Sequence, residues 1–63
     1  MEVLVVASKV KKYIKDKSEM STSGSVMDAL TRIVMHECDK AIENAQKQKR
    51  KTVMDRDFHH DSV

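Results

Sequence analysis

The sequence contains no proline, no tryptophan, one glycine and one cysteine among its 63 residues. Proline and glycine interrupt helices, so their scarcity predicts long and nearly unbroken helical segments. A single cysteine excludes a disulfide within the chain and fits a reducing, cytosolic setting. The apolar run near the start, residues 3–7, is expected to be extended or a short strand. It is too short for a secretory signal or a membrane span, and we expect neither.

The length of the chain limits the core that it can build alone. We expect one domain over residues 1–63, and a compact monomer of this size buries only about 60% of the surface of its unfolded chain. Small folds usually need a disulfide, a metal or a partner chain. We therefore expect an all-α protein that completes its core by forming an oligomer.

Positive charge is concentrated in two short patches, although the net charge is only +2. Residues 9–17 carry five lysines and one aspartate, and residues 47–51 carry three lysines and one arginine, so each patch has a charge of +4. This leaves −6 for the rest of the chain. Each patch alone could be a solvated face, but two patches in an otherwise acidic chain favour a polyanionic partner.

Apolar periodicity and capping residues predict three helices. The first covers about residues 9–17, with Ser8 as its N-cap and lysines opposite its apolar face. The second covers about residues 24–48 and is capped by a serine of the small polar loop before it. The third covers about residues 53–60 and has Thr52 as its N-cap. The apolar stripe of the second helix is Val26, Met27, Leu30, Ile33, Val34, Cys38, Ala41, Ile42 and Ala45.

The predicted second helix is too long for a compact monomer. About 25 residues of helix span roughly 37 Å, whereas a compact globule of this length has a diameter of about 27 Å. Two short helices cannot cover the apolar stripe, but a second copy laid across the first would cover it. The predicted architecture is therefore a short, a long and a short helix with an obligate partner.

This plan and one motif resemble the histone fold. The residues Arg50-Lys51-Thr52-Val53, followed by Asp57, are similar to the second-loop signature of archaeal-type histones, Arg-Lys-Thr-Ile with an aspartate seven residues after the arginine. Residues 10–15 and 41–45 resemble the first helix and the end of the long helix of that family. Without tails and with so short a chain, the protein looks like a minimal prokaryotic histone of the bacterial kind. Between Lys12 and the motif it is about four residues shorter than the archaeal pattern, roughly one helical turn, which keeps the stripe in phase.

The resemblance implies an intertwined handshake homodimer, in which the second loop of one chain pairs with the first loop of its partner beside the DNA backbone. Arg50 would pair with Asp57 and hold the third helix, while Lys51 and Thr52 would contact phosphates. The side chains expected at the DNA are Lys9, Lys11, Lys12, Lys15, Ser21, Thr22, Ser23, Lys49, Lys51 and Thr52. The dimer core is expected to contain Val26, Leu30, Ile33, Val34, Ala41 and Ile42.

The implied function is sequence-tolerant binding and compaction of double-stranded DNA by a nucleoid-associated histone in the cytoplasm. The expected donors are Lys, Ser and Thr, which suit phosphates, so binding should depend strongly on salt. Archaeal histones stack dimers through positions that match Asn44, Lys47 and Lys49 in this chain. Lysines that face their symmetry mates repel each other, so we expect at most a weak tetramer.

Three other functions are weighed against this one. A histone-fold subunit used only for protein assembly would turn its basic patches toward an acidic partner. A ribbon-helix-helix repressor reads DNA with polar side chains of its strand, which Val3-Leu4-Val5-Val6 does not offer. An enzyme is not expected, because His36 and Cys38 point in different directions on a helix and match no zinc spacing. We accordingly expect no metal, no cofactor and no small-molecule substrate.

Overall fold

A computed structural model describes residues 2–58 of the chain. Helix α1 spans Ala7–Ser18, helix α2 spans Ser25–Lys47, and a 3-10 turn spans Asp55–Asp57. No residue between 2 and 58 lies in a strand. The all-α class is therefore confirmed for the described residues, and the apolar segment before α1 is not a strand.

Helix α1 begins two residues earlier than the sequence predicts and ends one residue later. Its N-cap is Val6 and no side chain caps it, so the prediction of Ser8 as the N-cap is wrong. The carbonyl of Val6 already accepts the N–H groups of residues 9 and 10, which draws Ser8 into the first turn. The C-cap of the helix is Glu19, which has a left-handed backbone and donates its N–H to the carbonyl of Lys15 at 2.7 Å.

Helix α2 begins one residue later than predicted and ends one residue earlier. It follows Gly24, and no side chain caps its N-terminus, so the predicted serine cap is wrong. The hydroxyl of Ser23 instead lies 3.0 Å from the hydroxyl of Ser25. These two side chains hydrogen-bond to each other, and neither caps the free N–H groups of the first turn.

The third element is shorter than the predicted helix over residues 53–60. Only the 3-10 turn Asp55–Asp57 forms within the described range, and residues 59 and 60 of the predicted helix lie outside it. The N-cap is Met54, so the prediction of Thr52 as the cap is wrong. The Asp57 carboxylate accepts the N–H of Met54 at 2.7 Å. This contact closes one tight turn in place of the first turn of an α-helix.

The buried core of one chain is small. A threonine in the middle of α2, Thr31, is fully buried, and its hydroxyl accepts a hydrogen bond from the N–H of Leu4 at 3.1 Å. The segment before α1 therefore lies against the middle of α2. The buried apolar residues are Met27, Ala41 and Ala45.

The chain is much more extended than a compact protein of its length. Its radius of gyration is 14.5 Å, whereas about 11 Å is expected for a compact globule of this size. Its accessible surface is 5489 Å², whereas a compact protein of this mass exposes about 4,100 Å². The smallest of its three dimensions is 14 Å, little more than one helix with its side chains. Much apolar surface is therefore left uncovered.

Candidate functional site

Arg50 organises the second loop, residues 48–54, which connects α2 to the 3-10 turn. Its guanidinium donates to the two carboxylate oxygens of Asp57 at 2.5 and 3.1 Å. It also donates twice to the side-chain oxygen of Gln48, at 2.9 and 3.1 Å, and once to the carbonyl of Thr52 at 3.0 Å. A guanidinium has five N–H donors, and these five hydrogen bonds use all of them. The structure thus brings Arg50 and Asp57 together and leaves Arg50 no donor for an external ligand.

Asp57 is held on both its side chain and its backbone. Its carboxylate, with only 2% of the side chain exposed, accepts hydrogen bonds from Arg50 and from the N–H of Met54. Its backbone carbonyl accepts one from the side chain of Asn44 at 2.9 Å, which ties the turn to α2. The hydrogen bond from Arg50, then that from Met54, and the charges of Arg50 and Arg56 outweigh desolvation and lower the pKa of Asp57 from 3.8 to about 2. The same hydrogen bond raises the pKa of Arg50.

Helix α2 ends in a turn that places one residue in the left-handed region. The N–H of Arg50 reaches back to the carbonyl of Ala45, and the N–H of Lys49 to that of Gln46, both at 3.0 Å. This pair of hydrogen bonds is the Schellman motif, which satisfies the last carbonyls of a helix. The left-handed residue is Lys49, with φ of 58°, at a position where glycine is usual. The charge pattern of the sequence points to Lys49 but gives no sign of its backbone conformation.

The side chains beside Arg50 point to solvent. Lys49, Lys51 and Thr52 are all exposed, whereas only 18% of the Arg50 side chain is exposed. One inward arginine therefore fixes a short loop, and its neighbours present two ammonium groups and a hydroxyl outward. Such a loop offers positive charge and a hydrogen-bond donor on an ordered backbone.

The lysines of α1 form a second exposed basic surface. The helix contains no buried residue, and its lysines at positions 9, 11, 12, 15 and 17 are all exposed. Lys12 pairs with Asp16 at 2.6 Å, and the ammonium of Lys15 lies 3.4 Å from the carbonyl of Glu19. Ion pairs this exposed contribute little to stability, so they leave Lys12 available to another anion.

Among the residues that the structure describes, the first loop, residues 19–24, has no ion pair like that between Arg50 and Asp57 in the second loop. Ser21 and Ser23 are exposed, as a contact with DNA requires, and Thr22 is half-buried. The hydroxyl of Thr22 is buried, with no hydrogen-bond partner in the described part of the chain. A buried hydroxyl without a partner costs free energy. A hydrogen-bond partner from outside the described residues would remove this cost.

The residues expected in the dimer core are mostly uncovered in the single chain. Ile33 and Ile42 are exposed to 57% and 43%, while Ala41 is buried. The other three are half-buried: Val26, Leu30 and Val34. The apolar stripe omits Thr31, although this residue follows the buried Met27 by four positions and so lies on the same face of the helix. This four-residue spacing was the sequence signal that could have placed Thr31 on the buried face.

Metal-binding groups and cavities are absent from the described residues. Between residues 2 and 58, no three His, Cys, Asp or Glu side chains come together in a group that could hold a metal ion. No cavity opens in this part of the structure. The helices within this range are all too short or too polar to cross a membrane. Cys38 is half-buried and has a free thiol.

The two loops and helix α1, together with the uncovered face of α2, make up the candidate site.

Comparison with models of known protein families finds no match, and comparison with curated proteins finds no similar sequence. The functional interpretation therefore depends on the charges, hydrogen bonds and exposed surfaces described above.

Proposed function

We propose that the chain is a histone-fold subunit that forms an intertwined homodimer and binds double-stranded DNA without sequence preference. The observation that carries this proposal is the second loop. Arg50 uses all five donors within the protein, and this fixes a loop from which Lys51 and Thr52 project into solvent. An ammonium and a hydroxyl on an ordered backbone suit phosphate oxygens, which position a protein on DNA without reading its sequence.

The homodimer is supported by the surface that one chain leaves uncovered. Ile33 and Ile42 lie on a 23-residue helix and stay exposed, although the 3-10 turn packs against the same helix. The accessible surface exceeds that of a compact protein of equal mass by roughly 1,400 Å². A second copy laid across α2 would bury this surface and bring a second set of basic loops.

The polyanion is supported by where the charges lie. The basic residues of α1 and of the second loop are exposed, apart from Arg50, and no cavity or metal-binding group of the described residues competes as a site. Two copies of each patch on one dimer would follow a duplex backbone, which carries one charge for about every 1.7 Å of its axis. The nucleoid of a bacterial cell is the proposed location.

The test is a salt titration of binding to fluorescent duplexes of unrelated sequence. Lys51→Glu should weaken binding to all duplexes alike. The slope of log affinity against log salt should become shallower by about 0.9 for each phosphate that the variant no longer neutralises, hence by nearly 2 per dimer. Lys47→Glu makes the same change of charge one turn earlier, where Lys47 already lies 4.0 Å from Glu43, and should do less.

Two results would overturn the proposal. Strong preference of the wild-type protein for one short duplex would indicate base reading, as in a ribbon-helix-helix repressor. Absence of duplex binding at low salt, combined with tight binding to an acidic protein, would instead identify an assembly subunit.

A further inference from the structure

Helices α1 and α2 are each followed by a charged residue with a left-handed backbone. Glu19 closes α1 with φ of 60°, and Lys49 closes α2 with φ of 58°. Residues with a Cβ atom are disfavoured in this region, and glycine adopts it without steric cost. The described residues thus contain two strained helix ends, one acidic and one basic.

The strain at Lys49 is imposed by its surroundings. The Schellman hydrogen bonds fix the residue from the helix side, and Arg50 fixes the other side through Gln48 and Asp57. None of these contacts uses the side chain of residue 49, so glycine at 49 would keep every one of them. The ammonium of Lys49 makes no hydrogen bond or ion pair within residues 2–58, and the side chain is exposed.

A lysine in this position therefore lowers the stability of the fold, and no contact of its side chain within the described residues compensates for this loss. Its charge does lie near the C-terminus of α2, where a cation interacts favourably with the helix dipole. That interaction is small at an exposed site, and Lys47 in the last turn of the helix already supplies it. The remaining use for an exposed ammonium on this fixed backbone, beside Lys51, is the binding of an external anion.

We propose that Lys49 is a phosphate-contacting residue kept at a strained backbone position, where the chain gives up stability in exchange for affinity for DNA. Gln48 and Arg50 are the positioning residues that hold it there. The inference deepens the proposed DNA binding and rests on it. It gives the expected contact of Lys49 a structural basis, as a third phosphate contact of this loop beside those of Lys51 and Thr52.

The test measures thermal stability and DNA binding on the same variants. Lys49→Gly should raise the melting temperature, by roughly 2–5 °C, since glycine relieves the strain while the more flexible unfolded chain offsets part of the gain. The same variant should make the slope of log affinity against log salt shallower by about 0.9 per subunit. Lys49→Arg should keep both the melting temperature and the slope, because it keeps the backbone strain and the charge.

Glu19→Gly is the matched control. It relieves the same strain at the end of α1 and removes no positive charge, so it controls for the melting temperature, which should rise by a similar amount. Lys40→Gln controls for net charge, because it removes one positive charge from a side chain that pairs with Glu37 at 3.3 Å. It should leave the slope nearly unchanged.

The outcomes separate this inference from the proposed function. If the wild-type protein shows salt-dependent duplex binding and Lys49→Gly keeps the full slope, Lys49 is not a phosphate contact, although DNA binding stands. A fall in melting temperature for Lys49→Gly would show that the lysine stabilises the fold, which overturns the exchange of stability for affinity. Absence of duplex binding by the wild-type protein would overturn the proposed function together with this inference.

Discussion

The two loops of the chain differ in how much of their structure one chain can supply. In the second loop, five hydrogen bonds from Arg50 and a buried carboxylate at Asp57 fix the backbone. In the first loop, the hydroxyl of Thr22 is buried without a partner among the described residues, and the following helix has no side-chain cap. Both loops are rich in polar residues, so composition does not explain the difference.

In the proposed dimer, this difference would make the two loops depend on different partners. The second loop is completed by residues only seven positions apart, because Arg50 and Asp57 lie on either side of one turn. The first loop has no such local clamp, and in the proposed dimer it lies beside the second loop of the other chain. The second loop would then be ordered before the two chains associate, and the first loop would become ordered when it contacts the second loop of the other chain.

Substitutions that prevent association of the two chains should have the largest effect on folding. Leu30→Asp or Ile33→Asp would place a charge without a partner in the proposed shared core, and we expect an unfolded chain at micromolar concentration. Circular dichroism and analytical ultracentrifugation measure the result. His36→Asp adds a similar charge at an exposed position of α2 and should remain a folded dimer. A fully helical monomer for the wild type or for Ile33→Asp would contradict the dimer.

The clamp of the second loop should show the next largest effect. Arg50→Ala leaves the buried Asp57 carboxylate without its main partner, and breaking one side of such a pair is costly. It should therefore lower the melting temperature clearly more than Lys51→Ala, which removes an exposed side chain. Calorimetry of the two variants side by side measures this. Equal melting temperatures would show that the Arg50–Asp57 pair does not stabilise the loop.

The same pair should give a smaller effect that depends on pH. The pKa of Asp57 is lowered from 3.8 to about 2, so its ionised form stabilises the folded state. This stability is fully present above about pH 4 and is lost as pH falls toward about 2. The difference in melting temperature between wild type and Asp57→Asn should therefore shrink as pH falls through this range. A constant difference for Asp57→Asn over this range would argue against the low pKa.

The smallest expected effect concerns the first loop. If a second chain supplies a partner for the Thr22 hydroxyl, Thr22→Val removes a hydrogen bond and should cost about 1 kcal/mol of unfolding free energy per chain. Ser23→Ala, at an exposed position, should cost less. Urea unfolding of the dimer measures both. A neutral or stabilising Thr22→Val would show that the hydroxyl stays without a partner, and the first loop would then not be completed by assembly.

The sequence predicted the two main helices well, and it predicted their ends poorly. Apolar periodicity and the polar loop located α1 and α2 to within two residues at each end. All three N-cap predictions failed: the N-caps are Val6, Gly24 and Met54, and the elements begin with backbone hydrogen bonds to the carbonyls of Val6, Ser23 and Met54. A preference for serine or threonine at a cap is a modest effect that such contacts override.

Prediction of the candidate site from the sequence was limited in the same way. The exposed basic residues and the contact between Arg50 and Asp57 followed from charge spacing and from the motif. The role of Thr31 did not, because its hydrogen bond comes from Leu4, 27 residues away in sequence. The left-handed backbone of Lys49 was also missed, because lysine carries no signal for that conformation. Contacts distant in sequence and strained backbone angles lie beyond what local patterns encode.

If a second copy covers the exposed face of α2, the amount of protein in the cell controls how much of it stays folded. In the proposed dimer, folding and association are one event, so stability falls with dilution. Each tenfold reduction in total protein lowers the apparent free energy of unfolding of the dimer by about 1.4 kcal/mol. At low copy number the chains would spend more time unfolded and open to proteolysis, whereas chains made in abundance would protect one another. Expression level would then set the occupancy of DNA more steeply than binding affinity alone.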